Sequence, residues 1–244
     1  MLKVYNCDLH IHTCLSPCAE LDMHPSAIKR KAMQKQLDMI AICDHNASAN
    51  VRYVMAAPPD TLTIIPGMEI TTLEEVHLLA LFESLETLLK LQDVIDQHLF
   101  GQNDEKRFGV QAIVNEQGEV EGLNEQLLIG ATDLSIDILV DTIHRLGGLA
   151  IPAHIDRESF SVLSQLGFVN RDAGFDALEI SKRTGIQQGR LRYSELAQYP
   201  FLTSSDAHFI EDIGQSVTQI LMEEATFSEL KKALSNQNGR RILE

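Results

Sequence analysis

Short apolar runs alternate along the chain with longer segments whose apolar residues recur every three to four positions, the pattern of strands and helices around a parallel sheet. The runs predict strands at residues 4–7, 39–43, 62–66, 76–82, 149–153, 177–180 and 201–203. Between them, Ile136, Leu139, Val140, Ile143 and Leu146 share one face of a helix over residues 135–146, and Gly147-Gly148 ends it. Residues 84–100 also read as a helix. A last helix starts at Thr226, where Thr226 and Glu229 have capping-box spacing ahead of Leu230 and Leu234. The stretch 101–130 breaks the pattern: it is polar, carries five glycines, and residues 110–114 followed by Glu116-Gln117-Gly118-Glu119 predict a hairpin. We read it as an insertion, either a rim or lid over a barrel mouth or a solvated loop without such a role.

The length, 244 residues, suits one α/β barrel domain over residues 1–244. Apolar residues at 44% and charged ones at 23% describe a globular chain. With 5% aromatics and no Trp, its core must rest on Leu, Ile, Val and Ala. The net charge of −15 disfavours an extended nucleic-acid surface, since phosphate neutralisation dominates that affinity. The first residues turn polar before a signal peptide could form, and no apolar run approaches the ~20 residues of a membrane span. Cys7, Cys14, Cys18 and Cys43 therefore read as reduced thiols, and the expected location is the cytoplasm, with no membrane partner. The sequence carries no signal for an oligomeric state.

The chemistry lies in where histidines and acids fall relative to the strands. The first strand leads into Asp8-Leu9-His10-Ile11-His12-Thr13, where alternation puts His10 and His12 on one face, able to reach one cation. A lone pair of this kind is weak evidence. Later strands lead into Cys43-Asp44-His45-Asn46, Gly67-Met68-Glu69, Ala153-His154 and Ser205-Asp206-Ala207-His208, and the fourth contains Glu75-Val76-His77. In a parallel barrel the C-terminal strand ends converge on one face, so these residues predict a shared metal site. His98 and His144 fall inside helices and read as surface or packed side chains, and His24, before Pro25, as a local or capping residue.

This ordered set resembles the PHP (polymerase and histidinol phosphatase) family over almost the whole chain. The resemblance implies a distorted (β/α)7 barrel with two or three divalent metals, variously zinc, manganese or iron. It implies that His10, His12, Glu69 and Asp206 hold one metal, that Glu69 bridges to a second bound by His77 and His154, and that His45 and His208 hold a third. One departure concerns that third site. Family members commonly place a ligating Asp or His shortly after the first motif, where this chain runs Thr13-Cys14-Leu15-Ser16-Pro17-Cys18. Pro17 cannot coordinate, so Cys18 is either a thiolate ligand suited to zinc or iron or a small packed residue.

The activity implied is hydrolysis of a phosphate ester on a small molecule or nucleotide by a metal-activated water. In that chemistry Glu69 bridges, Asp206 and His208 orient the nucleophile or hand on a proton, and Asp8 and Asp44 support the ligands from behind. Arg157, Lys182 and Arg183 lie on the loop side of the predicted barrel, either to bind the phosphoryl group or to pair with surface acids. Competing readings are an amidohydrolase-like enzyme acting on a C–N or C–O bond, a standalone nuclease, and an accessory module.

Overall fold

The computed structural model describes residues 1–58 and 61–243. In chain order the elements are β1 (Lys3–Ile11), α1 (Pro25–Gln34), β2 (Met39–Ile42), α2 (Val51–Ala56), β3 (Thr63–Thr71), β4 (His77–Leu81) and α3 (Leu85–His98). Then come α4 (Glu105–Phe108), β5 (Ala112–Val114), β6 (Val120–Leu123), α5 (Ile136–Arg145), β7 (Leu149–Pro152) and α6 (Val162–Leu166). The chain continues with β8 (Leu178–Ile180), α7 (Gly185–Arg192), β9 (Phe201–Thr203), β10 (Thr218–Met222), α8 (Phe227–Leu234) and β11 (Arg241–Ile242).

Seven strands form one sheet in the order β11-β10-β1-β2-β3-β4-β7. Only β1, β2 and β3 run parallel; β4 is antiparallel to β3 and β7, and β10 is antiparallel to β1 and β11. The parallel (β/α)7 barrel expected from the sequence is thus corrected to a mixed, open sheet. The reason lies in β3, which runs on to Thr71 and leaves five residues before His77. A parallel crossover needs about a dozen residues or more, so the chain can only reverse. A separate parallel pair, β8–β9, stands between β7 and β1. Single hydrogen bonds tie it in: Asp176 N to Ala150 O and Ile155 N to Glu179 O on one side, His12 N to Ala207 O on the other.

Two apolar clusters follow from strand alternation. Met39, Ala41, Cys43, Ile65, Leu79, Leu81, Leu149 and Ile151 meet Ala177 and Leu202 of the β8–β9 segment on the inner face. Ile40, Ile42, Met68, Ile70, Leu78 and Ala80 point the other way, towards α1, α3 and α5. On β1 the alternation breaks. Cys7 and Leu9 belong to the inner cluster but Ile11 to the outer one, and the register with β2 shifts between Asp8 and Ile11. This bulge turns His10 and His12 inward after Leu9, a re-aiming that simple alternation from Cys7 would not produce.

The helices match their sequence signals. Ser135 caps α5 by accepting from Ile138 N, and Ile136, Leu139, Val140 and Ile143 are buried. Thr226 caps α8, accepting from Glu229 N, but only half of the expected capping box forms. The Glu229 carboxylate instead accepts from Glu223 N, Lys232 and Arg240. The predicted hairpin is β5–β6, antiparallel, with Gly118 at φ +88° in its turn. Residues 101–130 lean on the loops that follow β1 and β2. Ala112 N bonds Cys14 O, Asn50 holds both Ala112 O and Val114 N, and Asn46 Nδ2 donates to Leu128 O and Gly130 O. Among the described residues, no helix is long and apolar enough to cross a membrane.

Candidate metal centre

The inner face that is apolar along most of the strands becomes ionisable at one end. On β3 the inward positions run Ile65, Gly67, Glu69; on β4 they run Leu81, Leu79, His77. Because β4 is reversed, His77 reaches the cluster from the start of its strand, whereas the sequence pattern placed every ligand at a C-terminal end. His10 and His12 come from the end of β1, and His45, His154, Asp206 and His208 from the turns after β2, β7 and β9.

Two ligand atoms about 2.1 Å from one ion at 90–109° stand roughly 3.0–3.4 Å apart. His10 Nε2 and His12 Nε2 are 3.1 Å apart. His10 Nε2 is 3.4 Å from Glu69 Oε1 and 3.4 Å from Asp206 Oδ1, and His12 Nε2 is 3.3 Å from the same Asp206 oxygen. Around the other side of the carboxylate, Glu69 Oε1 lies 2.9 Å from His77 Nδ1 and 3.3 Å from His154 Nε2, and Glu69 Oε2 lies 3.0 Å from His45 Nδ1. The sequence grouping separated His45 from His77. Here the donor atoms of His45, Glu69 and His77 lie within 4.8 Å of one another, as do those of His12, His45 and His208.

The donor set fits divalent cations. Buried imidazole nitrogens need partners, yet Nδ1 of His45, His77 and His154 has no hydrogen bond. Burial pushes His12 well below its usual pKa, and His208 and His45 add to the effect, so that ring stays neutral with a lone pair free. Burial works against ionisation of Glu69, but His77, His10 and His45 outweigh it and hold the carboxyl far below its usual range.

Supports surround these residues. Glu179, which the sequence reading passed over, is buried on β8 and accepts from His10 Nδ1 at 3.0 Å and His154 N at 3.1 Å. Its one signal was an acid between Leu178 and Ile180 in a short apolar strand. Asp44 accepts from Thr13 N, Thr13 Oγ1 and Ser16 Oγ, and Ser16 Oγ lies 3.0 Å from His12 Nδ1. Asp8 touches none of the expected ligands; it clasps Ser205 N and Gly214 N and so fixes the turn that carries Asp206 and His208. Asn46, His154 and Asp206 all have positive φ, strain concentrated at the turns of the site.

Cys18 and Cys14 part company. Burial would raise the Cys18 thiol, but hydrogen bonds with His208 and His45 outweigh it and bring it down to about 6. Cys14 is buried against Ala112 and Val114, and burial pushes its thiol up to about 12. Arg157 pairs with Asp206, and Lys182 with Asp212 at 3.1 Å. With Arg183, Ser159, Ser181 and Thr184 they line a cavity of about 640 Å³ beside the cluster. His98 pairs with Asp133 and His144 with Asp176 at the surface. His24 stands at the N-cap of α1 but makes no capping bond; its Nδ1 is 3.2 Å from Ser26 Oγ.

A family model described as PHP-associated matches residues 191–238. The uncharacterized protein YqxK of Bacillus subtilis is 36% identical over 103 residues, covering 40% of this chain and 26% of that protein. The lesion-specific endonuclease PfuEndoQ of Pyrococcus furiosus has the same fold, with TM-score 0.78 and 19% identity over 98% of this chain and 58% of its own. An Endonuclease Q complex, with TM-score 0.77, holds a 27-mer duplex with an abasic lesion at the active site. A candidate metal-dependent phosphoesterase of Bifidobacterium adolescentis gives TM-score 0.58 and 18% identity over 95% and 96% of the two chains. The chain thus spans about a quarter of the curated relative and little more than half of the endonuclease. In its architecture, in the C-terminal match and in the ordered histidine and carboxylate motifs gathered at one end of the sheet, the chain is similar to the PHP family.

Proposed function

We propose that the chain is a metal-dependent phosphoesterase that hydrolyses a phosphate ester of a small molecule or nucleotide. The observation that carries this reading is Arg157. It joins the histidine–carboxylate cluster, through Asp206, to a cavity of about 640 Å³ whose rim carries Lys182 and Arg183. Three basic side chains against Asp156 and Glu158 in the lining leave a surplus of positive charge beside the cluster, which suits an anionic ester whose phosphorus must meet it.

In this reading His10, His12, Glu69 and Asp206 hold one ion, Glu69 bridges to a second with His77 and His154, and His45, His208 and Cys18 take a third. When bound, such ions lower the pKa of a coordinated water to about 7 and neutralise the phosphoryl oxygens. Zinc, manganese and iron all suit the imidazole and carboxylate donors, and the Cys18 thiolate favours zinc or iron at its own position. Arg157, Lys182 and Arg183 orient the ester. His208, with its side chain 19% exposed on the open side of the cluster and Nδ1 3.0 Å from Asp206 O, would orient the attacking water together with Asp206. Asp206 holds the attacking water, and Asp8 holds Asp206 through its turn.

A polynucleotide ester is the second reading. It is favoured by a fold closer to the endonuclease than to the phosphoesterase and by the local basic rim, against the overall charge of −15. The test is anaerobic purification followed by a panel of phosphomonoesters, phosphodiesters and duplex DNA with an abasic site, each with manganese, zinc and ferrous iron. Release of phosphate from monoesters supports the first reading, and strand cleavage supports the second. Turnover of amides or lactones alone would replace both with an amidohydrolase-like activity.

A further inference from the structure

We infer that Phe160 is a positioning residue for His77, holding that imidazole in the orientation a metal ligand needs; the inference rests on the reading of the cluster as a metal centre. Phe160 carries two unfavourable features at once. Its φ is +55°, a left-handed conformation that crowds the β-carbon of a bulky residue, and its side chain is left 38% exposed. A glycine there would be free of both. What the phenylalanine gains is His77, which it meets through two groups. Phe160 O accepts from His77 N at 2.9 Å, and the two rings stack with centroids 4.7 Å apart at 23°.

The need for such a hold follows from a comparison within the cluster. Metal-bound histidines are normally oriented by a hydrogen bond to their second ring nitrogen. His10 donates one to Glu179, and His12 has one with Ser16. His77 points Nδ1 at Glu69, 2.9 Å away, and its Nε2 has no side-chain or backbone partner among the described residues corresponding to Glu179 or Ser16. Apart from Glu69 itself, no polar group among the described residues resists the ring turning about χ2, which would carry Nδ1 away from Glu69. That rotation must pass through an orientation perpendicular to the stack, which the face of Phe160 blocks. The flat ring does by contact what Glu179 and Ser16 do by hydrogen bonding. The 154–161 turn also carries His154 and Arg157, and Ser161 Oγ bonds Arg157 O at 2.7 Å, so one short segment places a ligand, a ligand's support and a substrate cation.

The test is cobalt(II) titration of the metal-free protein, read by visible absorption and by competition with a chromophoric chelator. Wild type is compared with Phe160→Gly, Phe160→Leu and Phe160→Tyr. The expected result is that one cobalt ion binds about tenfold or more weakly in Phe160→Gly and Phe160→Leu, with a changed absorption band, and that Phe160→Tyr restores both. The metal-free melting temperature of Phe160→Gly should not fall, because glycine relieves the backbone. Should glycine unfold the chain, leucine carries the test, since it keeps apolar bulk without a flat face. Wild-type binding matched by Phe160→Leu would overturn this inference alone. A wild-type protein that takes up no cobalt would overturn the metal-centre reading and this inference with it.

Discussion

Replacing Glu179 separates a support of the metal centre from a ligand. Its carboxylate is buried and receives two donors, His10 Nδ1 and the backbone N–H of His154, so it steadies ligands on β1 and after β7 together. Glu179→Gln keeps the shape and one acceptor oxygen but removes the charge that makes His10 a stronger donor to a cation. Changes of this kind cost about 10–100-fold in metal affinity or activity, equivalent to about 1.4–2.7 kcal/mol. Glu179→Ala leaves both buried donors without a partner at about 1–3 kcal/mol each. The alanine variant should therefore melt on the order of 10 °C lower, at roughly 2–4 °C per kcal/mol for a chain of this size. The assay is metal content per chain, chelator competition and kcat/KM on whichever ester the screen identifies, alongside thermal melting. If Glu179→Gln keeps wild-type metal affinity and rate, Glu179 does not orient His10 and the buried acid serves the fold alone.

Glu69→Gln should lose more activity than the roughly 100-fold typical of a supporting residue, while its melting temperature in the metal-free state changes little. A near wild-type rate would remove Glu69 from its bridging role. Cys18→Ser should lower metal content by up to one ion per chain and weaken activity, and Cys14→Ser should change neither. Equal metal counts in the wild type and both variants would make Cys18 a packing residue. Far from the centre, bonds from Arg240, Lys232 and the Glu223 N–H hold the Glu229 carboxyl down to about 2, from 4.5. A depressed carboxyl stabilises the fold above its unfolded pKa, so this contribution is lost as pH falls from 4.5 to about 2. The gap in melting temperature between wild type and Glu229→Gln should be widest near neutrality and close over that window; a constant gap would contradict the assignment.

The gathering of the candidate ligands was largely legible in the sequence, and the path of the chain between them less so. His10, His12, His45, Glu69, His77, His154, Asp206 and His208 meet as the motif order implied. A ligand is marked by residue type and by nearness to an apolar run, and both survive in a linear reading. Strand direction is not marked that way. The apolar run at 62–66 hid the extension of β3 through Gly67-Met68-Glu69 to Thr71, where polar and charged inward residues interrupt the hydrophobic pattern because they serve the site. Even with strands read at 62–66 and 76–82 the link is nine residues, shorter than a parallel crossover needs, so the reversal was signalled by the link length and passed over. Glu179 was missed as the extension of β3 was: on the inner face of a three-residue strand, an acid reads as an interruption. Asp8 was placed beside His10 by sequence, but alternation and the bulge send it towards the turn at Ser205 instead.

The bulge in β1 also limits how this chain tolerates insertions and deletions. Residues 3–7 are locked in antiparallel register with β10, from Lys3 opposite Met222 to Cys7 opposite Thr218. Beyond the bulge, His12 N bonds Ala207 O, which pins the far end of the same strand. A strand held at both ends cannot slide to absorb a change in length. Removing Leu9 would take out the extra residue and let both registers meet without a bulge, with Cys7 inward, Asp8 outward and His10 and His12 still inward, so the loss would fall on Leu9's place in the inner cluster. Adding one would enlarge the bulge, because the pairing on either side of it is fixed. The bulge is thus the one stretch of this strand where a change of length can be taken up while the pairing on either side, and the direction of both histidines, stays fixed; within residues 3–7 it would shift the register with β10.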